Sequence, residues 1–207
     1  MQYFVWGVNA ENVLEKRREI VQTHWDFIAQ YDDQLIQRGP VMDMNDVSNV
    51  LGSTHIVEVE TKAEAEVFAF EEPFYKNGVF KQVRMMGFEL ELGRTQFVFE
   101  SNPDWPRFFV YCPANTAGDP KRKELRDAHQ TYCKVFDENF VCRGAILAED
   151  GPWNGQIFFM ETEDVSVVEA FLKDEPYCAA RLYAEIQINR WTMGGPRNLN
   201  AGGALDK

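Results

Sequence analysis

Two copies of one sequence pattern follow each other in this chain, and this internal repeat restricts the possible folds more than any other feature. Residues 14–27, LEKRREIVQTHWDF, match residues 120–132, PKRKELRDAHQTY. Three polar positions agree at one constant spacing: Arg17 with Arg122, Glu19 with Glu124, and His24 with His129. Further matches follow in the same order, so the chain is predicted to be a tandem duplication of a module of about a hundred residues.

The later matches mark the remaining parts of each module. The Arg38-Gly39 pair corresponds to Arg143-Gly144. Residues 56–61, IVEVET, correspond to residues 157–162, IFFMET, and residues 71–74, EEPF, to residues 174–177, DEPY. The last matched positions are Phe88 and Trp191. The spacing shifts slightly along the way, as changes in loop length would produce.

Each module is predicted to run strand, helix, two strands, helix, strand. In the first module, the aromatic and β-branched residues 3–8 predict a strand. Leu14, Val21, Trp25 and Ile28 recur at helical spacing and predict one long amphipathic helix. The Arg38-Gly39-Pro40 sequence is predicted to end this helix and lead into a short strand. The remaining predicted elements are a strand at 54–60, a helix at 63–70 and a strand at 80–92.

This element order predicts an α+β fold. A ferredoxin-like βαββαβ unit has a four-stranded antiparallel sheet with both helices on one face, which leaves the other face bare. Because a bare apolar face must be covered, we expect the two repeats to close an intramolecular dimeric α+β barrel, a pseudo-dimer within one chain. Whether two such pseudo-dimers assemble further into a homodimer is left open by the sequence. The predicted bounds are a first repeat at 1–93, a linker at 94–106, a second repeat at 107–193 and a flexible tail at 194–207.

Composition limits the partners and the location. The net charge of −12 argues against nucleic acid and anionic membranes, because phosphate binding needs a basic surface. No apolar run approaches the roughly 20 residues that span a bilayer, and no signal peptide is predicted. The four cysteines Cys112, Cys133, Cys142 and Cys178 form no CxxC pair, so we expect free thiols in the cytoplasm. No cofactor motif is present and no metal site is expected.

At these residues the sequence resembles the YCII-related family, small proteins with a dimeric α+β barrel fold. The resemblance rests on LEKRREIVQTH, RGP and GSTHIVEVETKAEAEVFAFEEPFYKNGVF in the first copy, and it extends over both copies. The second copy departs from the pattern at Gly144-Ala145, where the family has Gly-Pro, and at Arg181-Leu182. The family includes a dehydrochlorinase of a chlorinated hydroxyhydroquinone, and its barrel is shared with muconolactone isomerases.

The resemblance implies a catalytic histidine paired with the acidic residue of an acidic-Pro motif. Carried over by position, the pairs are His24 with Glu72 and His129 with Glu175. Both copies have Glu where the family has Asp, and the neighbouring Glu71 and Asp174 are alternative carboxylates. A carboxylate partner fixes the tautomer of a histidine and raises its basicity, which suits a general base. Gly39 and Pro40 match the family's Gly-Pro, so they are candidate substrate contacts.

Further candidates come from helical spacing and from aromatic character. Arg17 and Arg122 lie two helical turns before each histidine, on the same face, and are candidates to hold an anionic substrate oxygen. The alternative is that they are surface residues paired with glutamates. Phe74 and Tyr177 are candidates to line an apolar pocket, or they belong to the core. His55 corresponds to Gln156 and is predicted to be a surface or strand-edge residue.

Three functions are compatible with these residues. The first is a cofactor-independent lyase or isomerase that acts on a small cyclic or aromatic-derived compound by histidine–carboxylate acid–base catalysis. The second is a non-catalytic barrel that binds a small ligand or serves as an accessory subunit, with structural histidines and with the two glutamates as helix caps. The third is a division of labour in which the first copy, which keeps Gly39-Pro40, is active and the second is a scaffold.

Overall fold

The computed structural model describes residues 1–195, which form eight strands, seven α-helices and three 3-10 helices of one turn each. The strands are β1 Gln2–Asn9, β2 Leu35–Met42, β3 Val50–Glu58, β4 Phe80–Leu90, β5 Arg107–Pro113, β6 Phe140–Leu147, β7 Trp153–Glu161 and β8 Gln187–Trp191. The helices are α1 Leu14–Glu19, α2 Val21–Ile28, α3 Lys62–Phe70, α4 Pro73–Lys76, α5 Pro120–Lys134, α6 Val165–Asp174 and α7 Pro176–Ala179. None of these helices is long and apolar enough to cross a membrane.

The strands close into one barrel in the order β1-β3-β2-β8-β5-β7-β6-β4. Every neighbouring pair is antiparallel. Each repeat contributes four adjacent strands, and two seams join the repeats. At the first seam β2 pairs with β8, where Val41 lies opposite Trp191. At the second seam β4 pairs with β6, where Leu90 lies opposite Gly144. The mixed fold and the closed barrel agree with the predicted architecture.

Successive residues of each strand face the barrel interior and the helices in turn, as the two-residue period of a strand requires. In β1, Phe4 and Trp6 belong to an interior cluster that both repeats build from strand residues. Phe4 meets Phe109, its counterpart in the second repeat, with ring centroids 6.0 Å apart. Both rings are fully buried, so truncating either one to alanine should cost about 3–5 kcal/mol. The interior is therefore a packed core shared by the two repeats.

The outward faces of the strands pack against the helices in three separate clusters, of which the smallest contains Phe74 and Phe80 of the first repeat. In the first repeat Tyr3 and Val5 belong to one buried cluster with Phe68 of α3 and Ile28 of α2. In the second repeat a larger cluster joins β5, β6 and β7 to α6. Each repeat thus has its own helix-covered layer outside the common barrel, and the candidate site residues lie in these outer layers.

The first predicted helix is interrupted at Ile20. The backbone there leaves the helical region, with φ −109° and ψ 9°, so that α1 and α2 are separate elements. The chain keeps its direction because the Ile20 amide still bonds to the Lys16 carbonyl and the His24 amide to the Ile20 carbonyl. The corresponding α5 is one continuous helix that begins with Asp119 as its N-cap. Arg17 and His24 accordingly lie on two helices instead of one.

The Arg38-Gly39-Pro40 sequence does not end a helix, which corrects that prediction. It lies in the middle of β2, at the seam with the second repeat. A Cβ atom on Gly39 would lie 1.9 Å from the backbone oxygen of Thr192, and one on Gly144 would lie 2.3 Å from that of Glu89. Glycine is needed at both positions because the end of the other repeat's last strand crosses there. The recurring Arg-Gly pair therefore marks the two seams of the barrel.

Two other sequence predictions concern cysteines and the tail. All four cysteines are free, and among residues 1–195 no group of three or more histidine, cysteine or acidic residues is placed to hold a metal ion. The predicted flexible tail begins with Gly194 and Gly195, which are described and lie against the first repeat. Its remaining residues, 196–207, lie outside the described residues.

Candidate functional site

His24 of α2 is bonded through Nδ1 to the Glu72 carboxylate in the first repeat. Both side chains are buried, at 6% and 3% exposure. Glu72 is also the N-cap of α4, since its other carboxylate oxygen accepts a hydrogen bond of 3.0 Å from the Tyr75 amide. Pro73 at the first helical position holds Glu72 in the extended conformation that a cap requires. The glutamate therefore caps the helix and pairs with the histidine at the same time.

This bond decides which nitrogen of His24 is basic. A carboxylate only accepts hydrogen bonds, so the neutral ring must carry its proton on Nδ1. The lone pair is then on Nε2, which is the nitrogen left for a ligand. Burial lowers the pKa of His24, and the nearby charges of Arg17 and Arg38 lower it further, against the opposing effect of Glu72. At neutral pH His24 is thus an uncharged imidazole, the form that accepts a proton.

Phe74 supports this histidine from behind. Its ring stacks on the His24 ring with centroids 4.1 Å apart. The guanidinium carbon of Arg17 lies 4.3 Å from the centre of the same Phe74 ring. Phe74 is fully buried, so it holds the histidine and the arginine at fixed positions relative to each other.

Arg17 is a buried cation with few partners. It donates to Ser53 Oγ at 2.6 Å and to Asn9 Oδ1 at 3.3 Å. Its Nε atom is buried without a hydrogen-bond partner among residues 1–195. Burial lowers the pKa of Arg17 to about 10, so the guanidinium is still charged at neutral pH. The surface alternative proposed for this arginine is wrong, because Arg17 is only 6% exposed.

A small cavity of about 30 Å³ adjoins these groups. It has room for roughly two water molecules. The polar lining residues are Arg17, His24, Arg38, Ser53 and His55, and the others include Phe74, Gly39, Pro40, Gly194 and Gly195. The cavity is therefore lined by two arginines and by one neutral histidine, which is paired with a glutamate.

The second repeat forms the matching pair. His129 Nδ1 lies 2.6 Å from Glu175 Oε1, and Glu175 caps α7 by accepting from the amides of Tyr177 and Cys178. The Tyr177 ring stacks on His129 with centroids 4.2 Å apart. The extra methylene of each glutamate therefore does not prevent the pairing. The alternatives Glu71 and Asp174 are exposed, and Glu71 is paired with Lys76.

Glu91 makes the second site different. It follows β4 of the first repeat, and its side chain, 2% exposed, enters the second site. Its carboxylate accepts from Gln156 Nε2 at 2.8 Å and lies 3.3 Å from Arg143 Nη1. It also lies 3.4 Å from His129 Nε2 and 3.4 Å from Arg122 Nη2. A carboxylate of the protein itself thus occupies the space next to the basic nitrogen.

The charge state of His129 follows from these contacts. Burial alone would lower its pKa, but hydrogen bonds to Cys133, Glu175 and Glu91 outweigh burial and raise the pKa to about 11. For Glu91, burial is likewise outweighed by His129, Gln156 and Arg143, which keep the pKa of its carboxyl below the ordinary value. His129 is therefore an imidazolium at neutral pH and has no lone pair to offer.

The structure brings most of the predicted site residues together. His24, Glu72, Arg17, Gly39, Pro40 and Phe74 adjoin one cavity or its dyad. His129, Glu175, Tyr177 and Arg122 form the second cluster, although Arg122 is paired with Glu91 and Glu89, as the alternative for that residue proposed. His55 was predicted on the surface or at a strand edge. It is instead 4% exposed within β3, and burial lowers its pKa well below the ordinary value.

Sequence reasoning missed Arg38, Arg143, Ser53 and Glu91. The first two carried a signal, because each precedes a matched glycine in both repeats. Glu91 carried none, since it reaches its site from the opposite repeat.

Comparison with known proteins places this barrel among related folds. The model of the YCII-related domain matches residues 1–89 and 107–192. A mutant chlorite dismutase from Candidatus Nitrospira defluvii is similar at 10% identity over 98% of this chain and 95% of that chain, with a TM-score of 0.60. A putative monooxygenase from Lactobacillus acidophilus NCFM is similar at 8% identity over 92% of each chain, with a TM-score of 0.56.

A third similar structure matches only part of the chain. The 5-chloro-2-hydroxyhydroquinone dehydrochlorinase from Burkholderia phenoliruptrix AC1100 is similar at 21% identity over 43% of this chain and 94% of that chain, with a TM-score of 0.41. No curated protein matches the sequence. The identities of the two full-length matches are low, so those matches support the barrel fold and not a shared reaction.

Proposed function

The chain belongs to the YCII-related family, and on that premise we propose that its first repeat carries the active site of a cofactor-independent lyase or isomerase. The substrate is a small cyclic or aromatic-derived compound. In this proposal each repeat is a ferredoxin-like unit of an intramolecular pseudo-dimer, and the second repeat is a scaffold. The location in the cytoplasm, and the absence of nucleic-acid and membrane partners, stay predictions.

The observation that carries the proposal is the neutral His24 with Nδ1 bonded to Glu72 and Nε2 left for a ligand. In the proposed step, Nε2 takes a proton from a C–H or O–H group of the substrate. The imidazolium that forms is stabilised by the Glu72 carboxylate, and the negative charge moves onto a substrate oxygen near Arg17 and Arg38. A base of this kind accelerates proton transfer by about 10²–10⁴-fold.

The reaction can end in two ways. In an isomerisation, His24 returns the proton to a different substrate atom, and no group is lost. In an elimination, the electron pair left by the proton expels a leaving anion such as chloride, and the proton passes to solvent. Both endings balance without an oxidant or a reductant, and both need the same neutral base.

The second repeat lacks this base. His129 is protonated and lies between Glu175 and Glu91, so it cannot remove a proton from a substrate. This asymmetry supports the division of labour in which the first repeat is active and the second is structural.

The size of the cavity sets one condition. A space of about 30 Å³ does not hold a ring, so the lining must move when a cyclic substrate binds. Gly194 and Gly195 are the lining residues from the end of the second repeat. They carry no side chains, and their displacement would enlarge the cavity without disturbing the dyad.

The test is proton exchange and turnover measured by NMR in D₂O with a panel of cyclic phenols, chlorinated hydroquinones and lactones. We expect His24→Gln to lower the rate by about 10²–10⁴-fold, while His129→Gln retains the rate at a temperature at which circular dichroism shows it folded. Full activity in His24→Gln would remove His24 as the base. Equal losses in both variants would contradict the division of labour.

A non-catalytic binding barrel is the second candidate, and the helix-capping role of Glu72 and Glu175 favours it, because it gives both glutamates a structural function. It predicts that panel compounds shift the His24 resonances without exchanging protons and without being converted. In that case His24→Gln should weaken binding and should have no rate to lose.

A further inference from the structure

Glu91 and Gly194 occupy equivalent positions in the two halves of the barrel. The Glu91 amide donates to the carbonyl of Arg143 at 3.1 Å, and the Gly194 amide donates to the carbonyl of Arg38 at 3.0 Å. Arg38 and Arg143 are themselves matched positions of the repeat. Each residue therefore follows the last strand of its own repeat and lies over the dyad of the other repeat.

The side chains that hold the Glu91 carboxylate have counterparts around the first cavity. Glu91 is in contact with Arg122, His129, Arg143 and Gln156. At the matching positions of the first repeat are Arg17, His24, Arg38 and His55, all of which line the cavity. The first cavity therefore has similar side chains around it, but Gly194 has no side chain and supplies no carboxylate there.

We propose that the first cavity binds the carboxylate group of an external ligand at the place that the Glu91 carboxylate takes in the second repeat. This inference concerns the site of the proposed function and goes beyond it, because a carboxylate beside His24 Nε2 would favour the protonated ring and would therefore compete with a substrate that needs the neutral base. Glu91 is then a built-in ligand that occupies the second site.

The charges of the two sites support this assignment. Arg38 is paired with Asp32 at 2.7 Å, as Arg143 lies 4.0 Å from Asp137. Each histidine is paired with one glutamate. Two carboxylates beside Arg122 have no counterpart in the first site: Glu89, which is exposed, and Glu91, which is buried. A bound carboxylate would supply this missing charge beside Arg17, as Glu91 does beside Arg122.

The volume also fits. A carboxylate group is about the size of the space for two water molecules that the cavity offers. The planar pair of oxygens matches the planar donors of guanidinium groups. Phosphate and sulfate are larger and tetrahedral, and chloride cannot bridge several donors in the same way.

The first experiment follows the ring signals of His24 by NMR while formate or acetate is added to the wild-type protein at constant ionic strength. We expect a saturable shift, and a pKa of His24 that rises by about one unit or more, because an anion beside the ring favours its protonated form. Sodium chloride at the same concentration should give no saturable shift. Arg38→Gln should weaken binding at least about tenfold, whereas Arg18→Gln, which removes an exposed arginine of α1, should not.

A second variant provides an internal calibration. Glu91→Gly gives the second repeat the residue that the first repeat has at that position. We expect the pKa of His129 to fall in this variant and to rise again when acetate is added. Glu91→Gln, which keeps the side-chain volume, should not acquire acetate binding at the second site.

The outcomes separate this inference from the proposed function. Absence of a saturable His24 shift, at acetate concentrations at which His129 of Glu91→Gly responds, would overturn the inference. Should that variant fail to fold, equal acetate affinities of Arg38→Gln, Arg18→Gln and wild type would overturn it instead. Acetate binding without proton exchange on any substrate would leave the inference standing and would refute the catalytic proposal alone.

Discussion

His24 and His129 make the same bond to a glutamate, yet the pKa of His24 lies below the ordinary value and the pKa of His129 lies well above it. Both rings are buried and both stack on an aromatic ring. Two neighbours distinguish His129: Cys133, whose Sγ lies 3.7 Å from Nε2, and a second carboxylate, Glu91, 3.4 Å from the same nitrogen. One chain thus contains a neutral dyad and a protonated dyad, and each serves as the control for the other.

The two histidines should therefore titrate in different pH ranges. We expect His24 to titrate below about 6.5 and His129 to stay protonated at and above neutral pH. In Glu72→Gln the pKa of His24 should fall further, because the charge that opposes burial is lost. In Glu175→Gln the pKa of His129 should fall while that of His24 is unchanged. NMR titration of the ring protons measures all of these values.

A single pKa near 6.5 for both histidines, or no response to either glutamine substitution, would contradict this assignment. His55 titrates next to His24, since the two rings are 5.8 Å apart. Its signals must be assigned separately with a His55→Gln variant.

The free energy of unfolding should decrease at alkaline pH because of His129. Its pKa is raised in the folded state to about 11, so its contribution is complete below the unfolded value of about 6.5 and is lost as the pH rises toward 11. His24 and His55 have lowered pKa values, so their contribution is present above about 6.5 and is lost as the pH falls. The charged groups that act on the pKa of His24 are Glu72, which raises it, and Arg17 and Arg38, which lower it.

Urea denaturation between pH 5 and 10 tests this prediction through the free energy of unfolding. His129→Gln should remove most of the alkaline loss and should cost about 3–5 kcal/mol at neutral pH, because it leaves the buried Glu175 carboxylate without its cation. If the alkaline loss is the same in this variant as in the wild type, His129 is not its source.

The seam of the barrel should not tolerate a methyl group at position 39. Gly39→Ala places a Cβ atom against the Thr192 backbone oxygen and the Trp191 ring, so β2 and β8 must separate. We expect a loss of about 3 kcal/mol in the free energy of unfolding. Gly93→Ala is the matched control, because nothing lies within 4 Å of its Cβ position. Comparable stabilities of the two variants would show that the seam can adjust.

Tyr177 should be replaceable by phenylalanine without loss of stability. Its hydroxyl is buried and has no hydrogen-bond partner among residues 1–195. The corresponding residue of the first repeat is already Phe74, which stacks on His24 in the same way. We expect Tyr177→Phe to raise the free energy of unfolding by up to about 1 kcal/mol, because an unsatisfied buried group is removed. A clear destabilisation would reveal a partner for the hydroxyl.

Local patterns predicted the elements and the dyads well, because these depend on residues within one repeat. The pairing of His24 with Glu72 was implied by the family resemblance, and the structure places the two side chains in contact. The role of Glu91 could not be predicted in this way. The matched positions of the two repeats ended at Phe88 and Trp191, just before the position at which the sites differ. His55 was misplaced because its counterpart Gln156 is polar, although both side chains are buried.

The position shared by Glu91 and Gly194 also bears on why two repeats are joined in one chain. In a homodimer of identical subunits, symmetry gives both sites the same residue at every position. Both would then be filled by a glutamate, or both left open by a glycine. Fusion releases each half from this constraint. Because the two modules are covalently linked, their sequences can differ. One pocket can then be filled permanently by an internal network of ion pairs, while the other can still bind molecules from outside.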